Sequence, residues 1–388
     1  MNKIIVFDSH PVQYRVPVWK HIEKMEPGKL KVVYASDCSV KGHADSGFGK
    51  VIAWDEPMLE GYQNTILNCE NGKPLSGWSS LTGEGISQVL DKIKPKYVLL
   101  TGLNYRYDWV ALWQSKKRKI PVFLRCETQD EASKRSKWKG VVRYICYFLI
   151  YKYIAKFFFI GTLNKEHYLK HGVSLSKLSS AKYATVDRFK NLDSETKNKM
   201  RFECRAKSDI NESIFVIGFS GKLIPKKNPE ILYELLDYLP EELVKNTCIY
   251  FLGSGELDEK LKQKAILSKR KFGINTVFTG FVNQTEMPSH YLAMDIMILP
   301  SRKMGETWGL VANEALQAGC GVIVSDVVGC HKDFNGWERF RVFEEGNAKE
   351  LAKQVEELSK FSRNFNWAQE GLENYSIEAI AKSIVNQL

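Results

Sequence analysis

From residue 214 onward the sequence alternates short apolar runs with helix-patterned segments, and no other feature restricts the fold as much. Apolar runs at 214–220, 247–252, 275–279 and 295–299 read as strands, and helical periodicity falls at 229–239, 257–271 and 286–292. Strands separated by helices of this length run parallel, because a parallel connection needs a crossover of a dozen or more residues. The expectation is a parallel sheet covered by helices, the α/β class.

Residues 300–326, PSRKMGETWGLVANEALQAGCGVIVSD, follow the last of these strands. A glycine-containing turn leads into a helix expected from about Trp308 to Ala318, closed by Gly319. Glu306 lies in the turn and Glu314 on the helix, eight positions on, which is about two turns at ~3.6 residues per turn. The spacing lets both carboxylates face one ligand. Between them the N–H groups of Trp308, Gly309 and Leu310, with Thr307 beside them, form a helix start, where unpaired donors and the helix dipole favour a phosphate. Two acids flanking an anion seat suit a nucleotide sugar. Taken alone, a pair at this spacing is more often two solvated helix carboxylates, and the wider sequence must decide.

At 388 residues two domains are expected, with a boundary near Lys190 where the chain turns polar. The division is residues 1–190, residues 191–365, and a helical segment 366–388 packing back on the first domain. Eight cysteines lack any CxxC spacing, which suggests neither a zinc site nor a disulfide framework and fits a reducing cytoplasm. The opening apolar run is too short for a secretion signal and reads as a first strand, residues 3–7.

Charge is uneven along the chain. Residues 1–190 hold 31 lysines and arginines against 17 aspartates and glutamates, and 116–190 alone hold 18 against 5. The first half therefore faces something negative, such as an anionic membrane surface or a phosphate-bearing acceptor. Strands expected at 31–35, 97–101 and 121–124 each lead into a loop, and in an open α/β sheet such loops border the ligand cleft. His10, Gln13 and Tyr14 in the first loop, and Arg125 and Glu127 after 121–124, are acceptor-side candidates; a turn-forming histidine and a strand-capping charged pair are the plain alternatives. Residues 138–160 form the most apolar part of this half, but Arg143, Lys152 and Lys156 cut it into runs far below the ~20 residues of a membrane span. Trp138, Val141, Val142, Ile145, Phe148 and Leu149 recur at helical spacing, a stripe expected to join the core, beside a basic row of Arg135, Lys139 and Arg143. That row with aromatics is also how a helix rests on anionic lipid.

Lys222 and Lys227, five apart after strand 214–220, can clamp a diphosphate although no GxxxxGK[ST] loop is present. Gly253 and Gly255 permit close backbone approach to a ligand. In order along the chain, GKLIPKKNP, FLGSGEL, TGFVNQTEMPSHYLAMDIMILPS and GETWGLVANEALQAGCGVIVSD resemble the C-terminal domain of the retaining glycosyltransferases of family 4, which have the GT-B fold of two Rossmann-like domains facing a cleft. Glu306 and Glu314 match that family's Glu-x7-Glu pattern.

The resemblance implies transfer of a sugar from a UDP- or GDP-sugar donor on the second domain to a hydroxyl of a glycan or lipid-linked acceptor on the first. By the same likeness Lys222 and Lys227 hold the donor diphosphate at the Gly221 turn, Glu306 the sugar hydroxyls and Glu314 the ribose. The backbone near Phe281 and Val282 borders the base. Neither metal nor cofactor is expected, nor is nucleic acid as a partner. The expected location is cytoplasmic, peripheral on the inner face of a membrane. Lys222 stands where arginine is usual in the family, keeping the charge but not the bidentate fork, and His10-Pro11 replaces a glycine-rich first loop. Competing readings are an epimerase or phosphorylase on the same fold, and a basic nucleic-acid-binding protein.

Overall fold

The computed structural model describes residues 4–40, 43–45, 50–52, 56–67 and 77–387; Lys3, at the start of the expected first strand, lies outside them. Two parallel sheets form the frame. The first runs Asn64–Ile66, Leu30–Tyr34, Ile4–Asp8, Tyr97–Leu100, Val122–Leu124, Lys156–Phe159, Leu178–Ser180. The second runs Asn275–Phe278, Thr247–Leu252, Phe215–Ser220, Ile296–Leu299, Gly321–Ser325, Phe340–Phe343. Its strands are near-continuous apolar runs such as TCIYFL and IMIL, buried along their length as covering helices on both faces require.

In chain order the second sheet reads 3-2-1-4-5-6, the doubly wound Rossmann order. The direction of winding reverses between Phe215–Ser220 and Ile296–Leu299, which opens a crevice beyond their carboxyl ends. The first sheet reverses likewise between Ile4–Asp8 and Tyr97–Leu100. The loops at these two switch points build the site.

The helix Ile377–Val385, capped by the Ser376 hydroxyl, puts Ile377, Ile380, Ala381 and Ile384 into the first domain's core beside Val16, Val18, Trp19 and Ile22 of the helix Val16–Met25. Elsewhere the domains touch closely. A Cβ on Gly161 would lie 2.1 Å from the Trp308 ring, and the Thr162 N–H donates to Asp333 Oδ2 at 2.9 Å.

One expected core element lies outside the core. The helix Lys137–Ile150 buries none of its residues: Trp138 is 64% exposed, Val141 60%, Val142 53%, and Ile145 and Leu149 51% each. Its periodicity is helical as expected, but no other described element covers the stripe. The segment expected as one helix at 229–239 is a short α-helix, Ile231–Glu234, continued as a tighter 3-10 turn, Leu235–Tyr238.

Candidate active site

A cavity of about 190 Å3 opens between the domains at the second sheet's switch point. Gly221 and Gly253, Phe281 and Val282, Leu310 and Glu314 line it from the second domain, and Gln13, Tyr14 and Arg188 from the first. Gly253 holds φ at +139°, and a Cβ there would lie 2.0 Å from the Gly221 carbonyl oxygen, so two strand-end loops meet at a distance only glycine allows. Gly309, at φ +95° and packed against Leu299 and Val328, is the N-cap of the helix Leu310–Gln317. The helix thus starts two residues later than its periodicity suggested, and its first N–H groups, which have no intrahelical acceptor, face the cavity end.

Glu314 is half-buried at the cavity wall, where Tyr291 donates its hydroxyl proton to Oε2 at 2.6 Å. Burial pushes its pKa up to about 7, against the pull of the Tyr291 hydrogen bond and Arg188. Tyr291 also meets the Ser220 hydroxyl at 2.9 Å. Glu306 behaves oppositely. Burial raises its pKa, but the ion pair with Lys227, then Lys226 and the Ser301 hydroxyl at 3.2 Å, bring it below its ordinary value. Glu306 and Lys227 face each other and lie outside the lining of the cavity that Glu314 borders, so the two glutamates have different immediate surroundings. Lys222 follows Gly221 on the same loop and is partly buried.

A second cavity, about 280 Å3, lies across the cleft at the first sheet's switch point. Glu127 links the two domains there. It accepts hydrogen bonds from Tyr14 at 3.1 Å and Tyr183 on Oε1, and from Thr307 of the second domain at 3.2 Å on Oε2. Behind the cavity Arg15 pairs with the fully buried Asp8 at 2.9 Å, and Asp108 accepts the N–H groups of Asn104 and Tyr105 at the start of helix Arg106–Lys117. Burial pushes Asp108 up to about 6 against those two hydrogen bonds. Arg135 and Arg143 close the outer end.

Arg125, Trp308, Gly255 and His10, expected in the site, line neither cavity and are engaged by other parts of the protein. Arg125 is buried, donates to the Ala181 carbonyl at 3.1 Å and stacks on Tyr183, because a guanidinium under a sheet edge must satisfy its donors on backbone. Trp308 packs among Tyr183, Phe334 and Tyr375, with its indole N–H on Asn313 Oδ1 at 2.8 Å, and so fills the domain junction. Gly255 allows contact with Leu223, a Cβ there lying 2.4 Å from that carbonyl oxygen, and its N–H donates to Asp258. His10 bonds its neighbour Ser9 at 3.0 Å. Thr307 faces the second cavity instead of the first.

Tyr291 and Arg188 escape a reading by motif. A tyrosine within the apolar run YLAMD was the available signal, since a buried phenol needs a partner. Arg188 lies in no motif. Asp130, His167 and His171 are close enough to hold a cation, yet Asp130 already faces His167 at 3.0 Å, Lys170 at 3.4 Å and Arg143 at 3.5 Å. The site is thus filled by protein cations that would repel a metal ion.

Residues 200–369 match the family described as glycosyl transferases group 1. An uncharacterized glycosyltransferase of Methanocaldococcus jannaschii is 30% identical over 141 residues, 36% of this chain, and the match spans 33% of that relative's length. Similarity of fold extends over the full chain. Anabaena HepE, solved in complex with UDP, matches with a TM-score of 0.73 at 14% identity, over 100% of this chain and 99% of that one. WaaG, a glycosyltransferase involved in lipopolysaccharide biosynthesis, matches at 0.65 and 13%, over 99% of each chain. The sucrose-phosphate synthase of Thermosynechococcus elongatus matches at 0.66 and 15%, over 100% and 98%.

Proposed function

We propose, from the match of residues 200–369 to the group 1 glycosyl transferases and the GT-B fold of the whole chain, a retaining glycosyltransferase that moves a sugar from a UDP- or GDP-sugar to a hydroxyl of a glycan or lipid-linked acceptor. The observation that carries this is the pair of cavities at facing switch points, with Glu314 and the Gly221–Gly253 contact on one side and Glu127 on the other. In this reading the base lies against Phe281 and Val282, and Glu314 accepts from the ribose hydroxyls. Lys227, ion-paired with Glu306, and Lys222 neutralise the diphosphate as it leaves.

The acceptor oxygen attacks the sugar carbon on the face the diphosphate departs from, and a phosphate oxygen takes its proton. Glu127 serves here as a bridge between domains: three hydroxyl donors hold its lone pairs, which lowers its nucleophilicity. With lysines and a helix start supplying the positive charge, transfer is expected to persist in EDTA. The exposed stripe of Lys137–Ile150 supports a peripheral position on an anionic membrane as part of this reading.

A panel of nucleotide sugars tests the reading by binding and by donor hydrolysis with and without acceptor. Binding of one UDP- or GDP-sugar, with turnover that rises when acceptor is added, is expected. Conversion of the donor to its epimer without acceptor would identify an epimerase instead, and salt-sensitive RNA binding with no nucleotide-sugar binding would remove the enzyme reading.

A further inference from the structure

We propose that the basic cavity at the start of helix Lys137–Ile150 seats the phosphate of a lipid-borne acceptor, its chain lying along the helix's exposed stripe and its glycan in the adjoining Glu127 cavity. This deepens the glycosyltransferase reading, and the ligand's role as acceptor rests on that reading. Six cationic side chains line the cavity, Lys134, Arg135, Lys137, Arg143, Lys170 and Lys303, against two carboxylates. Both carboxylates are engaged: Asp130 with His167, Lys170 and Arg143, and Glu131 with Lys332 at 3.7 Å. Among the described residues Lys134, Lys137 and Lys303 form no ion pair. Converging cations repel one another unless an anion joins them, and a phosphate offers several oxygens to such a ring.

Two further observations choose the kind of phosphate. Ser133, Arg135 and Arg143 line both this cavity and the one holding Glu127, Gly305 and Thr307, so the two adjoin across these side chains. The same wall is joined to the donor domain: the Gly305 N–H donates to the Ala132 carbonyl at 2.7 Å, and Ser133 pairs with Met304. Lys303, from that donor-domain loop, completes the cationic ring. A ligand phosphate here lies one cavity away from the transfer centre, where a diphosphate between lipid and glycan would fall. The second observation is the apolar stripe on the same helix, where Trp138, Val141, Val142, Ile145 and Leu149 are all more than half exposed and Phe148 alone packs, on Gly172. A free phosphate or a soluble sugar phosphate would leave the stripe bare in water. A lipid tail covers it, with Lys139 and Lys152 placed at the headgroup level beside Trp138 and Phe148.

The test uses farnesyl diphosphate as the probe, with UDP present to occupy the donor side, and inorganic pyrophosphate and farnesol as its two halves. Wild-type protein is expected to bind farnesyl diphosphate at least about tenfold tighter than either half. Lys134→Glu with Lys137→Glu and Lys303→Glu is expected to weaken that binding by about tenfold or more, as loss of charge-assisted contacts requires, with UDP affinity unchanged. Val141→Ser with Ile145→Ser and Leu149→Ser is expected to reduce it to the pyrophosphate level. Unchanged affinity in the charge-reversed protein overturns the proposal, as does pyrophosphate binding as tightly as the full probe. If charge reversal abolishes binding to phosphatidylglycerol vesicles but not to farnesyl diphosphate, the seat belongs to bulk headgroups and the acceptor assignment fails. Wild-type binding of farnesyl diphosphate with no nucleotide-sugar binding would support the seat and sink the transferase reading alone.

Discussion

The helix Leu310–Gln317 buries Ala312, Asn313, Ala315, Leu316 and Gln317, while the helix Lys137–Ile150 fully buries no residue and only half-buries Tyr147 and Ile150 against the core. Both carry apolar residues at helical spacing. The first is packed between strands Ile296–Leu299 and Gly321–Ser325 on one side and the domain junction on the other, so even its polar residues are satisfied internally: Asn313 by Trp308 and the Tyr183 carbonyl, Gln317 by Thr185. The second lies on the edge of the first domain, where Arg143 is fixed on Tyr147 and Gln129 while the apolar stripe stays in the open. Apolar patterning thus reports a face that leaves water. It does not report whether protein, lipid or ligand receives that face.

The largest effect on stability is expected at the buried helix. Leu316→Ala should cost about 2–5 kcal/mol in urea denaturation, because the cavity it leaves is enclosed on every side. A loss below about 1 kcal/mol would show that this helix packs no more firmly than the exposed one. Next in size, Lys227→Ala is expected to lower transfer by on the order of 100-fold, the scale for removing one group that stabilises a leaving anion. Activity within about threefold of wild type would take Lys227 out of the mechanism.

Glu314 gives the helix Leu310–Gln317 a pH signature. Its folded-state pKa of about 7 lies above its ordinary 4.5, so the stabilising protonated form is fully present below about pH 4.5 and is lost as pH rises through 7. The loss is on the order of 3 kcal/mol. Glu314→Gln removes that titration, and its stability relative to wild type should climb between pH 5 and pH 8. Parallel stability curves for the two proteins would contradict the burial argument. At the small end, Ile145→Ser is expected to change stability by less than about 0.5 kcal/mol, as for any exposed position. Sedimentation with phosphatidylglycerol vesicles should nevertheless fall, and equal sedimentation of both proteins would leave the stripe without a role.

Much of the donor half is legible in the amino-acid sequence, because its signals are local. The strand at 247–252 and the glycine turns after it are runs of adjacent residues whose backbone demands are set on the spot, and the parallel sheet follows from alternation, although its strand order does not. The acceptor half is less so. Arg125 and Trp308 carry the residue types of a binding site, yet one satisfies a sheet edge and the other fills the domain junction; the carbonyl that receives Arg125 lies 56 positions further along the chain. Glu127 is recognisable as a cleft residue, but its three hydroxyl partners come from Tyr14, Tyr183 and Thr307, which no spacing relates.

Local sequence therefore specifies the parallel α/β frame, the placement of Lys227, Glu306 and Glu314 on strand-end loops and one helix, and the concentration of positive charge in residues 116–190. It took tertiary contacts to hold Glu306 charged against Lys227, to lift Glu314 toward neutrality by burial, and to leave the apolar face of Lys137–Ile150 outward beside a ring of cations. Periodicity and propensity act over neighbouring residues, whereas desolvation and charge pairing depend on what the fold brings into contact from far along the chain.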